Sequence, residues 1–224
     1  MLISNDRDEM MPLWYMQQVE GRRPDLAGVF PLLLAGDGSA PLRSESSWAT
    51  IGQVVDRTLA SGRPVSLIKP MPGLEIKAWL GPPDAAGLTP VLGPAVTSQP
   101  AHPQDVAIGD AVRLIGTTGE LAAVQPGQTL AIDLYWQPLR TLPANYTSFV
   151  QLLSPDGSKA AQSDHLVGGV YYPTSLWQPG ETLLDRHTLD VPAGAPPGPY
   201  QLFVGMYELV DGEARTVGGA MLDQ

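Results

Sequence analysis

TLAIDLYW, residues 129–136, alternates Leu130, Ile132, Leu134 and Trp136 with Thr129, Ala131, Asp133 and Tyr135. Successive side chains of an extended chain point to opposite faces, so a period of two gathers the four large apolar residues on one face of a strand. The same signal recurs at 146–153, 182–191 and 200–209. Shorter pieces at 111–115, 159–163 and 215–218 bring the expected strands to about seven. Between them fall the turn clusters Ser154-Pro155-Asp156-Gly157, Gln178-Pro179-Gly180 and Pro196-Pro197-Gly198-Pro199, in which Pro fixes φ and Gly and Asp supply turn geometry. Short strands at this spacing, with no helical period, predict that 105–224 is an immunoglobulin-like antiparallel β-sandwich. Tyr200, opening a strand after the proline cluster, has the position of a tyrosine corner.

Upstream the period changes. A short strand at Leu2 and Ile3 runs into Asn5, Asp6, Arg7, Asp8 and Glu9, a polar cluster suited to a helix N-terminus because carboxylates there offset unpaired N–H groups. A helix is expected over 10–20, ended by Gly21. The apolar run 27–34, bounded by Asp25 and Gly36-Asp37-Gly38, reads as a buried strand. Ser46 and Ser47 can cap a second helix over 48–60, in which Ile51, Val54, Val55 and Leu59 share a face. Residues 64–68 supply another strand, and 75–80 a possible edge strand. Alternating β and α elements predict a small, Rossmann-like parallel α/β domain over 1–80. The Pro-, Gly- and Ala-rich stretch 81–104 reads as a linker, and the β-sandwich domain occupies 105–224. The expected class is therefore α/β plus all-β.

A net charge of −10, from 13 basic and 23 acidic residues, repels nucleic acid phosphates and speaks against a nucleic-acid partner. With no cysteine, disulfides, thiolate metal sites and a Cys nucleophile are excluded. No apolar run approaches the ~20 residues that span a bilayer. The opening MLISNDRDE lacks signal-peptide character and reads as a strand already in progress, as if Met1 lay inside a longer protein with any membrane segments upstream.

Several residue groups invite a chemical reading. Asp6 and Asp8, one residue apart, could share a divalent cation holding a nucleotide sugar, although helix capping is the ordinary task of such residues. Arg22, Arg23 and Asp25 surround Pro24 and could form an anion or ligand site, with dipole and ion-pair roles as the plainer alternative. The aromatic stretch 168–177 places Tyr171, Tyr172 and Trp177 near Asp164, a composition suited to carbohydrate, while such rings also commonly plug the end of a sandwich. The histidines His102, His165 and His187 are far apart and show no metal-ligand spacing, and no Gly-x-Ser-x-Gly elbow supports a hydrolase. The sequence thus assigns no catalytic residue, metal or cofactor. Asn145-Tyr146-Thr147 matches a glycosylation sequon without further support.

NDRDEMMPLWYMQQVEGRRPDL, residues 5–26, resembles a segment of bacterial multi-spanning membrane glycosyltransferases related to protein O-mannosyltransferases, where it follows the last membrane helices. Asp6, Asp8, Trp14, Tyr15, Gln17, Glu20, Gly21, Arg23, Pro24 and Asp25 carry the likeness. The strings PGQTLAIDLYWQPL (126–139), YTSFVQLLSPDG (146–157), YPTSLWQPGETLLD (172–185) and PPGPYQLFVGMYE (196–208) extend it over most of the chain. The resemblance implies a soluble part on the extracytoplasmic face of the cell membrane, joined to an upstream membrane domain of the same polypeptide. Catalysis would belong to that upstream domain, leaving glycan or acceptor recognition, or scaffolding, to this chain. The alternatives are a stand-alone metal-dependent sugar transferase using Asp6 and Asp8, and a purely structural cell-surface module.

Overall fold

The computed structural model describes residues 1–30, 50–120, 124–196 and 199–222. The chain divides into two compact units, Met1–Ala95 with Val170–Tyr172, and Val96–Gly169 with Pro173–Gln224.

In the first unit, strands β1 (Leu2–Ile3), β2 (Gly28–Val29), β3 (Val65–Leu67), β4 (Ala78–Leu80) and β5 (Thr89–Pro94) form one sheet in the order β2-β1-β3-β5-β4. Helix α1 (Arg7–Gln18) is capped by Asp6, whose carboxylate accepts from the Asp8 N–H, and α2 (Ile51–Ala60) by Thr50, which accepts from the Gln53 N–H. Each cap satisfies a backbone donor that the first turn leaves open. Helix α1 lies against β2 where Gly28 has no side chain: a Cβ there would come within 2.8 Å of both Met10 and Leu13. Helix α2 buries Ile51, Val54, Val55 and Thr58.

This sheet overturns the expected Rossmann-like domain. Strand β1 is parallel to β2 and β3, but β5 enters antiparallel to β3, and β4 antiparallel to β5. The sheet is mixed, and the described residues as a whole carry thirteen strands, mostly antiparallel, against two α-helices. The expected cap at Ser46 and Ser47, the turn at 36–38 and part of the run 27–34 lie outside the described residues.

The second unit holds two four-stranded antiparallel sheets. One contains β6 (His102–Ile108), β7 (Val112–Thr118), β8 (Thr129–Pro138) and β11 (Leu183–Asp190), in the order β11-β8-β7-β6. The other contains β9 (Tyr146–Leu153), β10 (Lys159–Leu166), β12 (Gln201–Val210) and β13 (Glu213–Leu222), in the order β10-β9-β12-β13. Leu130, Ile132, Leu134 and Trp136 are all buried, as the period of two demands, and so are Val150 and Leu152 of β9 and Leu202, Val204 and Met206 of β12. Each such side chain removed from water contributes about 1.5–3 kcal/mol to the sandwich core. The Tyr200 hydroxyl donates to the Pro196 carbonyl at 2.9 Å, tying the start of β12 to the turn before it.

Eight strands split evenly between two sheets, with β6, β7 and β8 consecutive in one, differ from the four-and-three division of an immunoglobulin constant-type sandwich. The stretch 81–104 is also not a bare linker, since it carries all of β5 and the start of β6, and the first long segments of the two units part between Ala95 and Val96.

Candidate functional site

The buried aspartate and histidine of the sandwich, Asp185 and His187, lie along one edge. Strands β10 and β11 end their respective sheets and contact each other across that edge. Their inward residues are Ser163 and His165 on β10 and Asp185 and His187 on β11, each pair two apart and therefore on one face. Ser148 of β9 stands opposite His165 in the register, and Trp136 of β8 opposite Leu183.

Asp185 is the centre of this group. Its Oδ2 accepts from Ser148 Oγ at 2.7 Å and from Trp136 Nε1 at 3.0 Å, and lies 3.1 Å from His187 Nε2. Its Oδ1 lies 2.7 Å from His165 Nε2. The far nitrogen of His187, Nδ1, is 3.1 Å from Ser163 Oγ. The two imidazole rings are 4.4 Å apart, centroid to centroid, and tilted by 33°. Asp185 and His187 are buried, whereas the His165 side chain is 40% exposed and opens the group to solvent.

Burial alone pushes the Asp185 carboxyl up, but hydrogen bonds from His165 and His187 more than reverse this and hold it well below the usual carboxylate range. The hydrogen bond to Asp185 correspondingly raises His165, against the opposing effect of its partial burial. The ion-pair partners of Asp185 are these two histidines.

The group contains Ser, His and Asp but is not a hydrolytic triad. A triad needs the imidazole between hydroxyl and carboxylate, using one ring nitrogen for each. Here Ser148 Oγ lies 3.0 Å from the same His187 Nε2 that faces Asp185, and itself donates to Asp185. Ser148 is also fully buried.

The outer face of the β10-β9-β12-β13 sheet has a different character. Phe149, Phe203, Gly205 and Tyr207 alternate with the buried core residues, and Asp164 pairs with Phe149 across β10 and β9. The ring of Phe149 lies across Gly205 and that of Phe203 across Gly219, with would-be Cβ atoms 2.6 and 2.8 Å from the respective Cζ atoms. The ring centroids of Phe149 and Phe203 are 5.3 Å apart, and those of Phe149 and Tyr207 6.2 Å. Phe203 and Tyr207 are half-buried and Asp164 is exposed. The Tyr207 hydroxyl donates to Asp164 Oδ2 at 3.3 Å, and Gln162 Nε2 donates to the same oxygen at 2.8 Å. Partial burial and the Asp164 carboxylate both raise the Tyr207 phenol, which keeps it a donor.

The residues singled out in the sequence are dispersed. Asp6 accepts from the Asp8 N–H at 2.9 Å and from Lys69 Nζ at 3.3 Å, so its carboxylate caps a helix and pairs with a lysine. Asp8 faces solvent beside Arg7. Arg23 grips Asp25 through two hydrogen bonds of 2.9 and 2.8 Å, which closes the guanidinium fork within the chain, and Arg22 pairs with Glu20 at 3.4 Å. Of the aromatic stretch, Tyr172 and Trp177 are fully buried and present no ring face to a sugar, while Tyr171 is half-buried. Tyr172 belongs to the first unit, where its ring fills the space above Gly52 and Lys77 Nζ lies 5.3 Å from its centroid. Asp164 alone of that set joins a group of aromatic and polar side chains, and its aromatic neighbours are Phe149 and Tyr207.

Sequence reasoning missed the cluster around Asp185. The spacing Asp185-x-His187 and Ser163-x-His165 was there to be read as two same-face pairs, but only the fold makes β10 and β11 neighbours.

No described helix is long and apolar enough to cross a membrane. No family model matches the chain, and no curated protein matches it. Two solved structures show weak similarity. One is a beta-glucuronidase from glycoside hydrolase family 2, at 15% identity and a TM-score of 0.31 over 47% of this chain and 10% of that one. The other is a glycosyl hydrolase family 2 member from Bacteroides cellulosilyticus, at 12% identity and a TM-score of 0.29 over 47% of this chain and 13% of that one. The chain therefore spans about a tenth of the length of these enzymes, and a likeness at this level assigns it neither family nor activity.

Proposed function

We propose that this chain is a non-catalytic glycan-recognition module, the extracytoplasmic part of a membrane glycosyltransferase, and that it binds sugar on the outer face of the β10-β9-β12-β13 sheet. The observation that carries the reading is the Tyr207 ring beside Phe149, with its hydroxyl and Gln162 both directed at Asp164. Pyranose rings offer an apolar C–H face and an equatorial rim of hydroxyls. An aromatic ring receives the first, and a carboxylate beside an amide receives the second. The membrane context rests on the sequence resemblance of residues 5–26 and of the four sandwich strings.

Glycan arrays followed by calorimetry test the recognition role. Tyr207→Ala and Asp164→Asn are each expected to weaken binding about tenfold, from roughly 1.4 kcal/mol of lost stacking or hydrogen bonding. Tyr171→Ala, in the other unit, should bind as the parent does. Absence of any bound glycan, or parent-like affinity in both sheet variants, rejects the reading. Membrane helices encoded directly upstream of Met1 would support the membrane context, and a natural start there would remove it.

A further inference from the structure

We propose that His165, Asp185 and His187 bind one divalent transition-metal ion of the zinc type at the β10/β11 edge. Among the described residues these three form the group of His, Asp or Glu side chains whose ligand atoms lie within 4.8 Å of one another. Two imidazoles and one carboxylate suit zinc, cobalt or nickel, whereas calcium and magnesium prefer a shell of oxygens.

The surroundings are those of a held ligand set. A metal-binding carboxylate is ordinarily fixed by donors to its other oxygen, and a metal-binding imidazole by a partner on its other nitrogen. Trp136 Nε1 and Ser148 Oγ hold Asp185 Oδ2, which leaves Oδ1 facing His165. Ser163 Oγ stands at His187 Nδ1, which leaves Nε2 directed at the carboxylate. Three ligand atoms thus converge, and the distal atoms of Asp185 and His187 are occupied. The present 2.7 Å between His165 Nε2 and Asp185 Oδ1 is a hydrogen bond. Ligands on a tetrahedral zinc at about 2.05 Å sit roughly 3.3 Å apart, so entry of the ion requires a shift of some tenths of an ångström at the half-exposed histidine.

Charge gives a second argument. Asp185 is buried, and its ionic partners among the described residues are the two imidazoles that would share the ion with it. A buried charge is tolerated when it is paired or coordinates a metal. The exposed His165 supplies an entry path, and solvent there can complete a four-coordinate shell. The site is separate from the proposed glycan face: His165 points inward from β10 and Asp164 outward.

The test uses the full chain without a histidine tag, stripped with a chelator. Zn²⁺ is expected to raise the Tm, and Co²⁺ to give visible ligand-field absorption that saturates at one ion per chain. His165→Gln keeps a donor for Asp185 at a half-exposed position, so it should fold and bind Co²⁺ at least ~10-fold more weakly. Ser163→Ala should cost about tenfold as well, and His102→Ala nothing. Absence of both the band and the Tm shift overturns the site. A His165→Gln chain that binds like the parent also overturns it, and so does stoichiometric Ca²⁺ uptake in preference to Zn²⁺.

Discussion

The two open edges of the sandwich are closed by opposite means. Where β6 meets β13, backbone lies on backbone: a Cβ on Gly218 would fall 2.3 Å from the Gly109 nitrogen, and Gly109 itself sits at φ +64° with Val217 O 2.9 Å from its would-be Cβ. Where β10 meets β11, the space is filled by Ser148, Ser163, His165, Asp185 and His187. Glycine lets strands of the two sheets touch and leaves no room for chemistry. Side chains hold the other edge apart, and the groups that bridge it are those able to carry charge or a metal. Both solutions also block a free sheet edge from pairing with another chain.

Each edge can be broken separately. Asp185→Ala removes the acceptor for Trp136, Ser148 and both histidines and is expected to cost about 3–5 kcal/mol, read as a fall in the urea midpoint. Gly218→Ala drives a methyl group into the Gly109 backbone, 2.3 Å from its nitrogen, and should cost about 1–3 kcal/mol, whereas Gly219→Ala meets the end of the Phe203 ring at 2.8 Å and backbone, the Val204 carbonyl, only at 3.2 Å, and should cost less. A larger loss in Gly219→Ala than in Gly218→Ala would refute the backbone account of that edge. Ser163→Ala, which frees only one ring nitrogen of His187, is expected to cost roughly 1 kcal/mol in the chelated protein.

The sandwich was legible because burial on one face writes a period of two into the sequence, and Leu130, Ile132, Leu134 and Trp136 obey it in the structure. Strand β6 was not, because Pro103 lies within it and Pro100 just before it. Proline is tolerated there since β6 ends its sheet. Strand β5 hid for a related reason: Pro90 cannot donate, yet its carbonyl accepts from the Gly81 N–H at 2.9 Å. Missing β5 is what made the first unit look parallel. In the candidate sites, Asp164 was visible as a polar residue near aromatics in sequence, but its partner Tyr207 lies 43 residues away and is delivered by β12. The histidine pair was invisible for the same reason, being a product of strand order.

Tyr172 carries a further consequence for how the protein is made. Its buried ring covers Gly52 within the first unit, although β6 to β10 precede it in the chain. On the ribosome, the N-terminal unit therefore waits for its last piece until most of the sandwich has been synthesised. A fragment ending at Ala95 would lack that ring and emerge with a hole where it belongs, so a chain cut into its two units should refold less faithfully than the whole.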